Sequence, residues 1–280
     1  MSTMALTLAP HVPLRDALDE ARFGGKAAQC ARALREGLPV PDGFALACDS
    51  AGAQHGDAQH GDAARRTLAA MLDTLGGLVA VRSSAVGEDS AGASFAGQHA
   101  TVLGVTSVSG LIEALREVYA SASTASAAAY REKLGLDLRA SMGVVVQRLI
   151  RADAAGVLFN RDPITGEDVR VIEASWGLGE AVVQGLVTPD SFRVARGGRV
   201  LAQQAGDKDL MFRWSPDGGT HEVPVEGERV SQLCLSDTHL QALDALCSRC
   251  EAVFGGSQDL EFAVTGDHVH LLQRRAITRG

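Results

Sequence analysis

Two segments of the sequence place a cation beside small residues, a combination that suits phosphate binding. Lys26 follows Gly24-Gly25 at the start of a predicted helix, where backbone N–H groups and an ammonium can face an anion. Arg82 follows the apolar run 78–81 and precedes a loop rich in Ser, Gly and Ala, whose small side chains let amides approach an anion. Each segment also has an ordinary interpretation: a turn with a solvated lysine, and a flexible connection.

Neither segment matches a known nucleotide fingerprint by itself. Ala27 stands where the Ser or Thr of a Walker A loop would hold Mg²⁺, and the glycine spacing also differs. The turn that leads to Glu180 contains Gly-x-Gly but has Val182 in place of a third glycine, so a dinucleotide fingerprint fails. Because Arg82 emerges from an apolar run, we expect its guanidinium to have an anionic partner, from the protein or from a ligand.

The C-terminal segment predicts a hairpin with the residue types of a divalent-cation site. A three-residue loop at 266–268 would bring two acidic groups, an amide and an arginine to one face. Such a set provides hard oxygen ligands suited to Mg²⁺ and a triphosphate, although a cross-strand salt bridge is the alternative. The predicted pairs are Glu261 with Gln273 and Asp259 with Arg275.

This arrangement depends on the loop length. The same register directs Leu260, Phe262 and Leu272 towards the core. A two-residue loop would instead place Glu261 and Gln273 on opposite faces, because the side-chain period of a strand is two residues.

The composition excludes several classes of protein. The 280 residues carry 26 basic and 34 acidic side chains, a formal net charge of −8, which disfavours general attraction to nucleic acid or to anionic membranes. No stretch has the length of a transmembrane helix, and the first ten residues lack a secretory signal. Five cysteines are too few and odd in number for a disulfide scaffold. We therefore expect a cytoplasmic protein with reduced thiols.

Two possible metal motifs have simpler interpretations. Cys247 and Cys250 fall on the apolar stripe of a helix that begins after Ser236, with no second pair at zinc spacing, so they predict core packing. His55 and His60 belong to a directly repeated, glycine-containing segment, which predicts a surface loop rather than a metal site.

Helical patterns alternate with short β-branched runs, which indicates an α+β (mixed α/β) fold. The predicted helices are 27–35, 68–75, 111–119 and one that begins after Ser236, and the predicted strands are 78–81, 144–146, 156–159 and 169–172, with a hairpin at 192–203.

Nine motifs occur in a fixed order along the chain: Gly24–Lys26, Gly37–Pro41 with Gly43-Phe44, Val81–Ala85, Glu88–Ser90, Ala93–Gln98, Gln147-Arg148, Ala155–Phe159, Trp176–Glu180 and Gln273–Thr278. Together they resemble the nucleotide-binding domain of the phosphoenolpyruvate synthase and pyruvate phosphate dikinase family, which includes rifampicin phosphotransferase. The resemblance spans nearly the whole chain and is far more specific than any single motif.

The resemblance implies an ATP-grasp-like, multi-lobed fold with ATP in a cleft between lobes. It implies one lobe region at 1–190 and another at 191–280, together forming one ATP-binding unit. The implied catalytic residues, which contact the phosphates, are Lys26, Arg82 and Arg275, and the loop that covers the phosphates contains Gly97 and Thr101. Gln147 and Leu149 are implied at the edge of the adenine, and Glu180 is implied as a further nucleotide contact. The implied Mg²⁺ ligands are Glu261, Gln273 and Asp259.

In the family, ATP is split to AMP and phosphate, and a phosphoryl group passes through a histidine on a swivelling domain to the final acceptor. None of the eight histidines of this chain stands in the family's Thr-Ser-His setting. The resemblance therefore implies a component that phosphorylates a histidine of a separate protein, or of further C-terminal domains, for transfer to a small molecule.

Two other functions remain open at this point. An ATP-grasp ligase would form an acyl phosphate and ADP, and a regulatory subunit would bind ATP without turnover. Asn160 and Ala276 depart from the family's usual Thr or Ser and Pro, but neither change removes an obvious ATP contact.

Overall fold

The computed structural model describes residues 8–48, 61–87, 100–121 and 142–277. The chain forms two compact units: unit 1 comprises residues 1–32, 42–149 and 216–219, and unit 2 comprises 33–41, 150–215 and 220–280. The main change of unit therefore follows Leu149, whereas the two lobe regions that the family resemblance implies meet at residue 190. The two positions differ because strands on both sides of residue 190 belong to the same sheet of unit 2.

In its described residues, unit 1 contains an antiparallel five-stranded sheet and four α-helices. Its elements are β1 (His11–Pro13), β2 (Gly43–Leu46), β3 (Val79–Ala85), β4 (Thr101–Val105), β5 (Met142–Arg148), α1 (Glu20–Phe23), α2 (Gly25–Arg35), α3 (Asp62–Thr74) and α4 (Val108–Ser121). The strand order is β1-β2-β5-β3-β4, and α2 passes into unit 2 after Arg32. The helices predicted at 27–35, 68–75 and 111–119 are confirmed, with longer bounds.

The core of unit 1 consists of apolar residues that recur at helical spacing in two helices and at every second position in two strands. Apolar residues recur at helical spacing in α3 and α4, while alternate valines of β3 and β5 face them. The core residues include Leu68, Met71, Leu72, Leu111, Leu115, Val79, Val81, Val144 and Val146.

Unit 2 contains an antiparallel six-stranded sheet in the order β13-β12-β6-β7-β8-β9 and a separate hairpin, β10–β11. Its elements are β6 (Ala154–Phe159), β7 (Val169–Trp176), β8 (Asp190–Ala195), β9 (Val200–Gln204), β10 (Leu210–Trp214), β11 (Thr220–Pro224), β12 (Gln258–Thr265), β13 (His268–Ala276), α5 (Glu180–Val183) and α6 (Asp237–Phe254). Ser236 caps α6, as predicted, because its hydroxyl accepts the N–H of His239. No helix in the described ranges is long and apolar enough to cross a membrane.

Cross-strand rows distinguish the two faces of the six-stranded sheet. Leu260, Leu158, Ile172 and Phe192 form one row across four strands, and each is at most 1% exposed. Because successive residues point to opposite faces, the next row lies on the other side of the sheet. That row contains Gln273, Glu261, Val157, Glu173, Ser191 and Gln204.

Arg170 of β7 links the apolar face of this sheet to α6. A guanidinium has five N–H donors. Nε donates to Oδ1 of Asp244 at 2.9 Å, while Nη1 donates to the Asn160 carbonyl at 3.0 Å and to Oε1 of Glu251 at 2.9 Å. Nη2 donates to Ser248 Oγ at 2.9 Å and to Glu251 Oε2 at 3.0 Å. All five donors therefore have acceptors, which is what allows a fully buried arginine.

A second buried ion pair joins β8 to the segment that contains the β10–β11 hairpin. Asp190 and Lys208 are both fully buried, and Lys208 Nζ donates to Asp190 Oδ1 at 2.5 Å. The same carboxylate accepts the N–H of Gly206 at 2.8 Å and the N–H of Cys234 at 2.7 Å. These added bonds offset the cost of removing both charges from water.

The C-terminal hairpin has the predicted pairs but not the predicted loop. β12 and β13 are joined by a turn of two residues, Gly266-Asp267, rather than three. A β-bulge next to Glu261 compensates, because Leu272 is an extra residue in β13. Glu261 is therefore opposite Gln273, and Asp259 is opposite Arg275.

Two details of the predicted strands are wrong. The bulge makes Leu271 the buried leucine of β13, at 1% exposure, whereas Leu272 is only partly buried. β3 does not end before Arg82 but continues to Ala85, because Ser83 and Ser84 pair with β5. The hairpin predicted at 192–203 is confirmed in β8 and β9.

We expect Arg170→Lys to destabilise the protein by about 3 kcal/mol, because lysine cannot supply the planar fork and leaves buried acceptors unpaired. The matched control is Arg161→Lys, whose side chain is 42% exposed and pairs with Asp168 at 3.5 Å, and which should cost less than about 1 kcal/mol. Urea unfolding followed by tryptophan fluorescence measures both. Equal losses would contradict the importance of the buried fork.

Glu251 should make the stability depend on pH in the acid range. Burial alone would raise the pKa of Glu251, but hydrogen bonds from Arg196 and Arg170 outweigh it and lower the pKa from 4.5 to about 2. The stabilisation is thus present above the unfolded pKa of 4.5 and is lost as the pH falls towards 2. When the pH is lowered from about 5 to about 2.5, we expect the free energy of unfolding of Glu251→Gln to fall less than that of the wild type, as measured by urea unfolding at each pH.

Candidate functional site

Lys26 is held against β3 of unit 1. Gly24 has a φ of 83°, and a Cβ at this position would lie 1.8 Å from the carbonyl oxygen of Ser84, so the close approach requires glycine. Ser84 Oγ accepts the N–H of Ala27 at 3.0 Å, which satisfies one amide at the start of α2. Lys26 is 7% exposed, and Nζ donates to the carbonyl of Ser83 at 3.0 Å. Lys26 is therefore a buried, fixed cation, and the solvated-lysine interpretation is wrong.

Arg82 lies in the middle of β3. Its side chain is on the same face of the strand as that of Ser84, which contacts the start of α2. Nη1 lies 3.5 Å from Oε1 of Gln147 on β5. Arg82 and Gln147 are 9% and 3% exposed. Unit 1 thus brings Lys26, Arg82 and Gln147, three of the predicted nucleotide ligands, to one side of its sheet.

Of the three other candidate residues in unit 1, the structure places two and does not describe the third. Thr101 begins β4 and is opposite Arg82 in the register. Leu149 directly follows β5, two residues after Gln147 and at the change of unit. Gly97 lies outside the residues that the structure describes.

Unit 2 places the predicted metal ligands on the sheet face opposite the apolar row. Glu261 and Gln273 are direct cross-strand partners, and Asp259 and Arg275 form another pair on the same face. Arg275 Nη2 donates to Oε1 of Glu261 at 2.5 Å, so the cross-strand salt bridge left open by the sequence is present. Burial raises the pKa of Asp259, and the charge of Arg275 opposes this rise.

The donor set of unit 2 fits a magnesium ion. The carboxylate of Glu261 and the amide oxygen of Gln273 are hard ligands, and Mg²⁺ commonly takes one or two carboxylates together with phosphate oxygens and waters. Within the described part of the chain, no group of three His, Cys, Asp or Glu side chains could form an all-protein cage. Two oxygen ligands on one sheet face leave the other coordination positions of Mg²⁺ for waters or phosphate oxygens.

Glu180 is a half-buried carboxylate at the start of α5. Oε1 accepts a hydrogen bond from Thr220 Oγ1 at 3.0 Å. Oε2 is buried and has no hydrogen-bond partner among the described residues. Burial raises the pKa of Glu180, while the Thr220 hydrogen bond lowers it. One oxygen is thus fixed and the other is available to accept a donor from a ligand.

Sequence reasoning missed Thr220 and the hairpin that carries it. β10 and β11 have five residues each, and neither alternates apolar with polar residues. The available signal was the turn composition at 216–219, Pro-Asp-Gly-Gly, between two short runs.

The cysteine pair of α6 is structural, as predicted. Cys247 and Cys250 are 1% and 0% exposed. Burial raises the pKa of each thiol to about 12, which disfavours the reactive thiolate. The predicted loop containing His55 and His60 lies outside the described residues.

The described structure is a mixed α/β fold. It places Lys26 and Arg82 on one side of the unit 1 sheet, and Glu261, Gln273 and Arg275 on one face of the unit 2 sheet. The family model described as pyruvate phosphate dikinase, AMP/ATP-binding domain, matches residues 58–280. The chain belongs to this family.

Curated relatives agree with this assignment. A rifampicin phosphotransferase from Streptomyces sp is 39% identical over 242 residues, which cover 86% of this chain and 26% of the relative. A probable phosphoenolpyruvate synthase from Methanothermobacter thermautotrophicus is 42% identical over 202 residues, 71% of this chain and 29% of the relative. This chain thus spans about a quarter of the length of these relatives.

Among solved structures, D-alanine–D-alanine ligase from Bacillus anthracis complexed with ATP aligns over 93% of this chain and 55% of its own, with 12% identity and a TM-score of 0.40.

We expect Gly24→Ala to destabilise unit 1 and to displace Lys26, because the added Cβ would overlap the Ser84 carbonyl. The matched control is Gly76→Ala: Gly76 also has a φ of 83°, but a Cβ there meets nothing within 4 Å. The control should cost about 1–2 kcal/mol from backbone strain alone, and Gly24→Ala at least about twice that. Urea unfolding measures both, and equal costs would disprove the close-approach explanation.

Proposed function

We propose that this chain is the ATP-binding component of a dikinase-type phosphotransferase. It cleaves Mg-ATP to AMP and phosphate and passes a phosphoryl group to a histidine on a separate domain or subunit, for onward transfer to a small molecule. The observation that carries the proposal is the placement of Glu261, Gln273 and Arg275 on one sheet face, in a chain of the pyruvate phosphate dikinase AMP/ATP-binding family.

Phosphoryl transfer depends on positioning and on fixed positive charge near the moving phosphoryl group. Lys26 and Arg82 supply such charge in unit 1, where hydrogen bonds to Ser83 and Gln147 already set their positions. Arg275 supplies a further cation in unit 2, oriented by Glu261. Cations that are fixed beforehand need little reorganisation during the reaction.

The remaining ligands act on the metal and the nucleoside. Mg²⁺ held by Glu261 and Gln273, with Asp259 nearby, would neutralise charge on the phosphate oxygens. The proposed nucleotide contacts are Gln147 and Leu149 at the adenine, Glu180, and Thr101 with Gly97 beside the phosphates.

The phosphohistidine step requires a partner. The relatives named rifampicin phosphotransferase and phosphoenolpyruvate synthase are about four times as long as the matched region. The proposed partner is therefore a phosphohistidine domain, whether on another protein or in further C-terminal domains of the same polypeptide, and the final acceptor is a small molecule.

Phosphorus NMR of Mg-ATP distinguishes the possible reactions. The protein is incubated with ATP alone and with an added phosphohistidine domain from a relative. AMP and phosphate, formed with that domain, are the expected products. ADP would indicate a ligase-type reaction instead, and binding without turnover would indicate an ATP-sensing subunit.

We expect Mg-ATP to raise the melting temperature of the wild type, since a ligand specific for the native state stabilises it. Glu261→Gln should weaken Mg-dependent ATP binding about 10-fold by removing a charged ligand, and Arg82→Ala should weaken it at least as much. Glu113→Gln, an exposed position on α4, is the control. Isothermal titration gives the dissociation constants, and unchanged binding by Glu261→Gln would remove this residue from the site.

A further inference from the structure

Residues 206–234, termed the support segment, contain the β10–β11 hairpin and a 3-10 turn at Gly227–Val230, and all of them except the hairpin turn 216–219 belong to unit 2. Asp190 holds both of its ends: Gly206 and Lys208 bond the carboxylate at one end, and Cys234 bonds it at the other. The segment is therefore anchored by one buried side chain, although its strand β11 and its 3-10 turn contain no buried residue.

The support segment contacts the turn that ends at Glu180. The N–H of Leu178 donates to the carbonyl of Phe212 at 3.0 Å, and a Cβ on Gly177 would lie 2.4 Å from the same oxygen. Trp176 Nε1 donates to the carbonyl of Arg229 at 3.0 Å, and the Arg229 guanidinium lies 4.3 Å from the centre of the indole. The turn thus meets the support segment through three successive residues.

Thr220 of the support segment also contacts Glu180, the residue at the end of this turn. Its hydroxyl donates to Oε1 of Glu180 at 3.0 Å, while Oε2 is buried without a partner in the described part of the chain. The bond fixes the orientation of the carboxylate, because a carboxylate held at one oxygen has little freedom left at the other.

Within the ATP molecule itself, apart from its Mg²⁺, few groups can donate a hydrogen bond to Glu180. Phosphate oxygens are negatively charged acceptors, so they repel a carboxylate and offer it no proton. The donors of ATP are the ribose hydroxyls and the adenine amino group, all in the adenosine moiety.

We propose that Thr220 is a positioning residue for nucleotide binding, and that the support segment fixes it so that Oε2 of Glu180 accepts a hydrogen bond from the adenosine moiety. This inference rests on the proposed ATP binding, and it adds a residue and a structural element to that function. Its consequence is that the hairpin influences recognition of the nucleoside rather than of the phosphates.

The test is a mutant cycle measured by isothermal titration with Mg-ATP on the full chain. Thr220→Val removes the hydroxyl at nearly constant shape, Thr220→Ser keeps it, and Thr74→Val makes the same change at an exposed hydroxyl on α3 that bonds only its own helix. We expect Thr220→Val to bind about 10-fold more weakly, and Thr220→Ser and Thr74→Val to bind within about twofold of the wild type.

The cycle is completed with Glu180→Ala. Thr220→Val should cause no further loss in that background, because Thr220 acts through Glu180. Titrations with 2′-deoxy-ATP, 3′-deoxy-ATP and purine riboside triphosphate identify the donor, since the analogue that lacks it should bind the wild type and Thr220→Val equally.

The outcomes separate this inference from the proposed function. Wild-type affinity in Thr220→Val, or an equal loss in the Glu180→Ala background, overturns the positioning role while ATP binding stands. Equal loss of affinity for all three analogues on Thr220→Val also overturns it. If the wild type does not bind Mg-ATP at all, the proposed function fails and this inference fails with it.

Discussion

The alternation of side chains across the six-stranded sheet is the constraint on which unit 2 depends. One face must bury the row that runs from Leu260 to Phe192, and the adjacent row is therefore obliged to face the other way. Polar residues such as Glu261 and Gln273 occupy that second row. The packing of the core and the placement of the candidate metal ligands thus both follow from one register, and a shift of one residue would exchange the two faces.

Elements with a clear period could be predicted from the sequence, and elements fixed by distant partners could not. The helices and the β8–β9 hairpin follow from apolar spacing and paired glycines. The bulge in β13 has no local signal, because Leu271 and Leu272 are the same residue type and only the pairing with β12 separates them. The pairs of Glu261 and Asp259 were thus correctly predicted from an incorrect loop length.

The candidate site shows the same division. Residue types made Lys26, Arg82 and the acidic hairpin candidates, because cations suit phosphate and hard oxygen ligands suit Mg²⁺. The burial of Lys26 could not be foreseen, since it depends on carbonyls of β3 far along the chain. Serines after Arg82 suggested a loop, yet pairing with β5 overrides their weak strand preference. Thr220 was missed for a similar reason: its partner Glu180 is remote in sequence.

Anchoring the support segment at its two ends also affects how this part of the chain can evolve. Asp190 closes the segment at Lys208 and Cys234, and the residues between them form a loop whose ends are fixed. Closure entropy grows only logarithmically, so doubling such a loop costs roughly 0.6 kcal/mol. Insertions in the exposed stretch 226–228 should therefore be tolerated among homologues. The hairpin turn, where the N–H of Gly219 donates to the carbonyl of Gly104 at 2.8 Å, and the spacing between Thr220 and the turn at Glu180 should vary little.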